Sequence, residues 1–181
     1  MLKGIWNHFK TVCKHKRAVY KQCKACGIWW QGVIHDLSKF SPTELITSGK
    51  YFQGYRSPID AEKEEFGYST VWLHHKGRNK HHWEYWTDFA PDGTIIPAKI
   101  PAKYVIEMFC DWIGAGQVYI GKSWTEEDLI KHFNKMRPGR HFHPETEKLV
   151  LHLLNIIKYC GLSTFHTFCK LRNYSTTFCN Y

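Results

Sequence analysis

Residues 33–42, VIHDLSKFSP, place His35 and Asp36 side by side directly after an apolar run. An apolar run predicts burial, and ionisable side chains taken out of water need a partner. A metal ion is one of the few partners that satisfies an imidazole and a carboxylate together. This donor pair suits Zn²⁺, Mn²⁺, Fe²⁺, Co²⁺ or Ni²⁺ better than Ca²⁺. The dipeptide therefore predicts a transition-metal site at the end of a core segment.

Other potential ligands lie elsewhere on segments with an apolar pattern. His15 falls on the apolar stripe of the first predicted helix, and Asp111 interrupts the apolar face of a later helix. Glu107 precedes Asp111 by one helical turn and shares its side. The segment HHKGRNKHH contributes His74, His75, His81 and His82. Because these residues recur in order along successive elements, they jointly favour one metal centre.

Each residue also has a purely structural explanation. His15 would serve as a hydrogen-bonded core histidine, and Asp111 as the partner of an arginine. The histidine pairs would form a basic, partly aromatic surface with Trp83 and Trp86. His8 matches no ligand position and is interpreted as structural.

Apolar periodicity predicts an all-α helical bundle with one small β-hairpin. Spacings of three and four residues predict helices at 5–23, 59–75, 101–118, 124–136 and 144–160. Ser41-Pro42-Thr43-Glu44 predicts a further helix start, with Ser41 as N-cap and Glu44 completing a capping box. Asp92-Gly93 between short extended runs predicts the hairpin turn.

The chain length of 181 residues predicts one domain, with 8 Trp, 10 Tyr and 11 Phe available for its core. We expect residues 1–162 to form it and 163–181, rich in Ser and Thr, to be a poorly structured tail. No apolar run approaches the roughly 20 residues that span a bilayer, and the N-terminus does not resemble a signal peptide. We therefore expect a soluble, cytoplasmic protein, of an oligomeric state left open.

The formal net charge of +9 favours anionic partners. The basic residues cluster near the histidines, and the two clusters are Lys14, Lys16 and Arg17, and Lys76, Arg78 and Lys80. This distribution favours an anionic small molecule such as a nucleotide over nucleic acid. A solvated basic face is the alternative.

The order of His15, His35-Asp36 and Asp111 along successive helices resembles the HD-domain superfamily of metal-dependent phosphohydrolases, which are helical bundles. The resemblance implies that one divalent ion is bound by the residues at the four matching positions, His15, His35, Asp36 and Asp111. Lys39 stands where the branch with an HD-x-G-K motif has its lysine, although Ser38 replaces the glycine. Members with two ions add histidines between these positions.

The segments KHK, IHDLSKFSP, WLHHKGRNKHHWEYW and DWIGAG more closely resemble a small, functionally uncharacterised HD-like family of bacterial and phage proteins, over roughly residues 5–157. The middle histidines are spaced more tightly than in the cyclic-dinucleotide branch, and no GYP stretch follows them. The number of ions therefore stays open. His74 is the first choice as a middle ligand, and His75 and Glu107 are expected to bind a second ion or to support ligands.

The expected activity is hydrolysis of a phosphoester, on a nucleotide or nucleotide-like substrate. Lys39 and Arg78 would neutralise charge on the phosphoryl group, and His81 or His82 would protonate the leaving oxygen. The first rival is a di-iron oxygenase of related fold acting on a polyol. The second is a non-catalytic module that binds a nucleotide or RNA, and the third is a structural zinc site.

Overall fold

The computed structural model describes residues 1–173, which form eight α-helices and a peripheral two-stranded hairpin. The first, sixth, seventh and eighth helices build the main apolar core. The helices are α1 Leu2–Ala25, α2 Trp29–Ile34, α3 Pro42–Lys50, α4 Pro58–Phe66, α5 Thr70–Lys76, α6 Ala102–Tyr119, α7 Glu126–Met136 and α8 Pro144–Leu171. Strands β1 Thr87–Phe89 and β2 Ile95–Pro97 pair antiparallel, with Thr87 opposite Pro97. The predicted all-α class with a small hairpin is confirmed. Within the described residues, no helix has the length and apolarity needed to cross a membrane.

The contact between α1 and α6 forms the centre of the fold. Val19 of α1 and Phe109 and Ile113 of α6 are fully buried. Gly114 permits the close approach, because a Cβ atom there would lie 2.7 Å from Val19 Cγ2. The small residues after Asp111 predict such an approach. Its consequence is that His15, one turn before Val19, faces Asp111 on α6.

The segment that carries His35 and Asp36 is a tight turn between two short helical pieces. Helix α2 ends at Ile34, and a 3₁₀ turn covers Leu37–Phe40. Asp36 has φ 51°, in the left-handed region that aspartate tolerates better than most residues. Lys16 Nζ donates to the carbonyl oxygens of Val33 and His35, each at 2.7 Å, and thereby holds the end of α2.

The predicted single helix over 59–75 is wrong, because the chain breaks at Gly67. Gly67 has φ 78° and ends α4, and Ser69 then caps α5 by accepting a bond from Trp72 N at 2.9 Å. The buried Glu62 carboxylate accepts bonds from the Ser69 hydroxyl and from Thr70 N. This cap fixes the start of the short helix that carries His74 and His75.

The prediction of a poorly structured tail over 163–181 is also wrong for residues 163–171, because these residues belong to α8, which ends at Leu171. The helix kinks at Gly161, which has φ 80°, and then continues. Phe165 and Cys169, four residues apart, are fully buried, with the Phe165 ring 5.7 Å from that of Phe109. The polar composition obscures this narrow apolar stripe. Residues 174–181 lie outside the described part of the chain.

Replacing Phe165 by alanine is expected to lower the free energy of unfolding by about 3–5 kcal/mol, because a buried ring is lost from a packed core. Urea denaturation followed by circular dichroism measures the change. Leu171→Ala is the control, since Leu171 is 81% exposed. Equal effects of the two substitutions would show that the end of α8 contributes little to the core.

Candidate metal centre

Five elements bring the predicted ligands together at one end of the α1–α6 contact. His15 comes from α1, His35 and Asp36 from the turn after α2, and Asp111 from α6. The remaining histidines come from α5 and the turn before the 3₁₀ segment Trp83–Trp86, and they are His75, His81 and His82. They fall into two groups of four residues whose nitrogen and oxygen atoms lie within 4.8 Å of one another, and a third, smaller group joins His35, His81 and Glu107.

The first group contains the four residues named by the HD-type series. His15 Nε2 lies 3.0 Å from Asp111 Oδ1 and 3.7 Å from Asp36 Oδ2. His35 Nε2 lies 3.2 Å from Asp36 Oδ2 and 3.5 Å from Asp111 Oδ1. Two imidazole nitrogens and two carboxylate oxygens thus converge on one point, and this donor set suits a divalent transition metal.

The second group shares Asp36 with the first. Asp36 Oδ1 lies 3.3 Å from His75 Nε2 and 3.5 Å from His81 Nε2, and His82 completes the group. Because Oδ1 faces this group and Oδ2 faces the first, the Asp36 carboxylate could contribute one oxygen atom to each group.

Six of the ligand atoms are buried and make no hydrogen bond of regular geometry among the described residues, although Lys39 Nζ lies 2.6 Å from Asp36 Oδ2. The unpartnered atoms are His15 Nε2, His35 Nε2, His81 Nε2, His82 Nε2 and both carboxylate oxygens of Asp36. Buried polar atoms are nearly always hydrogen-bonded in folded proteins. Six orphaned atoms of ligand type, gathered around two points, therefore fit bound metal ions.

Two buried glutamates hold the histidine rings from behind. Glu107 Oε1 lies 3.0 Å from His35 Nδ1 and 3.2 Å from His81 Nδ1. Glu44 Oε2 lies 2.8 Å from His75 Nδ1. An acceptor at Nδ1 fixes the tautomer that leaves Nε2 free for a metal. Glu107 is therefore placed to support ligands, as one of its two predicted roles required.

The structure reverses the prediction within the first histidine pair. His75 is buried and joins the second group, whereas His74 lies outside both groups and its Nδ1 contacts Glu44 Oε1 at 2.7 Å. Neighbouring residues on a helix point about 100° apart, so only one of them can face the centre. The capping box at Ser41 is also incomplete, because the Glu44 side chain turns inward to these histidines.

The charges of the cluster stabilise ionised carboxylates. Burial opposes ionisation of Asp36, but the positive charges of His35 and Lys39 outweigh it and hold its pKa well below the usual value. Burial likewise opposes ionisation of Asp111, and its close contacts with the His15 and His35 imidazoles keep its pKa well below the usual value. Both carboxylates are thus ready to bind a cation, and metal binding would displace protons from the imidazoles.

A cavity of about 430 Å³ adjoins the two groups. Lys39 lines it and forms an ion pair with Asp36, with Nζ 2.6 Å from Oδ2. Arg78 does not line it, because its side chain is exposed and donates to the carbonyl oxygen of His74 at 3.2 Å. Arg140 lines the cavity instead. Sequence reasoning missed Arg140, since it lies in a loop with no motif.

The contacts of His81 and the pKa of His82 do not favour the predicted role of either residue as the acid that protonates the leaving oxygen. His81 has Nε2 in the second group and Nδ1 beside Glu107, so neither nitrogen is free. Burial, reinforced by the charges of His81 and His75, holds the pKa of His82 well below its usual value. A neutral His82 ring suits a metal ligand better than a proton donor.

Substituting Glu107 by glutamine is expected to weaken metal binding about tenfold to a hundredfold, because the groups that orient ligand histidines commonly contribute that much. Titration of metal-stripped protein with Mn²⁺ or Zn²⁺, followed by calorimetry, measures the change. Glu64→Gln is the matched control, since Glu64 pairs with Arg56 on the surface. Unchanged affinity in Glu107→Gln would rule out this supporting role.

Comparison with known proteins assigns the chain to a protein family. No curated protein and no solved structure matches the chain. One family model, described as a family of unknown function (DUF5662), matches residues 4–156 and so spans every residue of both ligand groups. The chain therefore belongs to the DUF5662 family.

Proposed function

We propose that this protein is a divalent-metal-dependent phosphohydrolase of the HD type, acting on a phosphoester of a nucleotide or nucleotide-like molecule. The observation that carries the proposal is the pair of buried ligand groups sharing Asp36, next to a cavity that contains cationic side chains.

Two ions fit the residues better than one. His15, His35, Asp36 and Asp111 would hold the first, and Asp36, His75, His81 and His82 the second. When bound, such ions supply hydroxide from water near neutral pH and polarise a phosphoryl oxygen. The proposal thus extends the single site of the four-residue series to a two-ion centre, of Mn²⁺, Fe²⁺, Co²⁺, Ni²⁺ or Zn²⁺.

The cavity supports an anionic substrate with a planar part. Lys39 is held by Asp36 at the cavity wall, and this carboxylate raises the pKa of Lys39 against the opposing effect of burial. The ammonium group therefore stays charged and can bind a phosphoryl oxygen. Three indoles also line the cavity, namely Trp72, Trp83 and Trp112. Their faces offer stacking surfaces for a nucleobase.

One alternative function is a di-iron oxygenase of related fold, which would use the same residues because it also requires two ligand groups. The charged Lys39 and Arg140 favour phosphate over an uncharged polyol. A binding module for RNA is favoured less, since the ligand atoms are buried and the cavity, not an open groove, adjoins them.

The test begins with protein stripped by EDTA and reloaded separately with each of the five metals. Release of phosphate from nucleoside monophosphates and from para-nitrophenyl phosphate is measured, and oxygen uptake with polyols is measured in parallel. We expect phosphate release that requires metal and disappears with EDTA. Failure of every loaded form to release phosphate would overturn the proposal, and oxygen uptake by the iron form alone would favour the oxygenase.

A further inference from the structure

Arg140 lies in the cavity wall, where two aromatic rings hold its side chain. It follows the 3₁₀ turn Arg137–Gly139 and precedes α8. Its guanidinium carbon lies 4.3 Å from the ring centroid of Trp112 and 5.6 Å from that of Phe133. Stacking on aromatic faces restrains a guanidinium while leaving its N–H groups free to donate. The side chain is therefore held in place before any ligand arrives.

Apart from the two aromatic rings, the guanidinium makes no side-chain hydrogen bond and no ion pair within residues 1–173, and the nearest charge that acts on it is that of Glu84. Its Nη1 is buried without a hydrogen bond, and Arg140 forms none of the ion pairs in the described chain. Burial lowers the pKa of Arg140 to about 10, partly offset by the charge of Glu84, so the group remains protonated at neutral pH. A half-buried cation whose Nη1 has no hydrogen-bond acceptor is costly, and an anionic ligand would reduce that cost.

The position of Arg140 relates it to the metal centre through α6. Trp112, on which Arg140 stacks, directly follows Asp111 of the first ligand group. His132, which also lines the cavity, has its pKa lowered by burial and by the charge of Arg140, and the charge of Asp111 opposes this. The ligand groups and Arg140 thus belong to one cavity, but Arg140 makes no ion pair with the ligand carboxylates.

We propose that Arg140 binds a second anionic group of the substrate, separate from the phosphoryl group that is hydrolysed. This inference rests on the proposed function and narrows it to phosphoesters that carry two anionic groups, such as bisphosphates. Lys39 serves the phosphoryl group at the metal end, and Arg140 serves the second anion along the wall formed by Trp112. Arg140 is in this sense a specificity residue.

The experiment compares metal-loaded wild type with Arg140→Gln on bisphosphates of propanediol, butanediol and hexanediol, each beside the alkyl monophosphate of the same length. We expect wild type to prefer at least one bisphosphate about tenfold to a hundredfold in kcat/KM, as a charge-assisted contact would give. Arg140→Gln should abolish that preference by raising the KM of the bisphosphate about tenfold or more above any change in the KM of the monophosphate. Arg140→Lys should restore part of it.

Arg137→Gln is the matched control, because it removes the same charge from the same segment. Arg137 instead pairs with Glu147 at 2.8 Å on the surface. The Arg137→Gln variant should therefore prefer bisphosphates over monophosphates to the same extent as wild type. No preference in wild type, or a preference that survives Arg140→Gln, would overturn the inference. Thermal melting checks that each variant is folded.

The two proposals fail in distinguishable ways. If no ester is hydrolysed, the proposed hydrolase function fails, and binding of the corresponding alkane bisphosphonates is then measured by calorimetry. Binding that is lost in Arg140→Gln but kept in Arg137→Gln would preserve the second-anion site. No binding to wild type would overturn it as well.

Discussion

Substitution of Asp36 by alanine is expected to release both metal ions and to abolish phosphate release. Asp36 gives one carboxylate oxygen to each ligand group, so both lose a charged donor at once. A loss of several kcal/mol of transition-state stabilisation corresponds to a decrease of about a thousandfold or more in rate. Elemental analysis of the purified proteins measures metal per chain, and the phosphate assay measures the rate.

The control is Asp88→Ala, because Asp88 lies exposed on β1, away from both ligand groups. Asp36→Asn is a second variant that keeps the side-chain volume, in case removal of the buried carboxylate leaves Lys39 and His35 unpaired and the alanine variant misfolds. Full metal content in a folded Asp36→Asn protein would contradict the bridging role and with it the two-ion centre.

Alanine at His75 is expected to remove one metal equivalent, whereas alanine at the neighbouring His74 is expected to remove none. His75 Nε2 lies 3.3 Å from Asp36 Oδ1, while His74 contacts only the supporting Glu44. The two variants lose the same side chain from the same helix and each loses a contact with Glu44. His75 also contacts Ser38 and Asn79, so thermal melting first establishes that both variants are folded, and their difference in metal content then reports on ligation.

Elemental analysis after reloading with Mn²⁺ gives the number of ions per chain in each variant, and the phosphate assay follows. We expect His75→Ala to retain the ion of the first group. The opposite order, with metal lost in His74→Ala and kept in His75→Ala, would return the ligand role to the residue favoured by the sequence. Equal retention in both would mean that the second group binds no ion.

Local patterns in the sequence sufficed for most elements of the fold. Apolar spacing predicts α1 and α6 closely, and Asp92-Gly93 marks the observed hairpin turn. These features depend on neighbours within a few residues. The continuation of α8 beyond Gly161 was missed because the deciding contact comes from a distant part of the chain, where Phe109 covers Phe165. The break at Gly67 was missed although its contacts are local, since Gly67 adopts φ 78° and Glu62 accepts a bond from Thr70 N eight residues later.

Within the candidate site, the sequence by itself determined which residue types are available to bind a metal ion. Histidines and aspartates on apolar stripes need partners wherever they are buried, and this requirement is readable from residue types and their order. It singled out His15, His35, Asp36 and Asp111, which the fold gathers into the first group.

Only the tertiary structure decided which side chains face one another. The choice between His74 and His75 depends on how α5 is rotated, and the inward turn of Glu44 depends on the rings opposite it. Arg140 reaches the cavity because Trp112 and Phe133 offer faces on which it stacks, while Arg78 faces outward. Such selections depend on packing between elements far apart in the chain, and no local pattern records them.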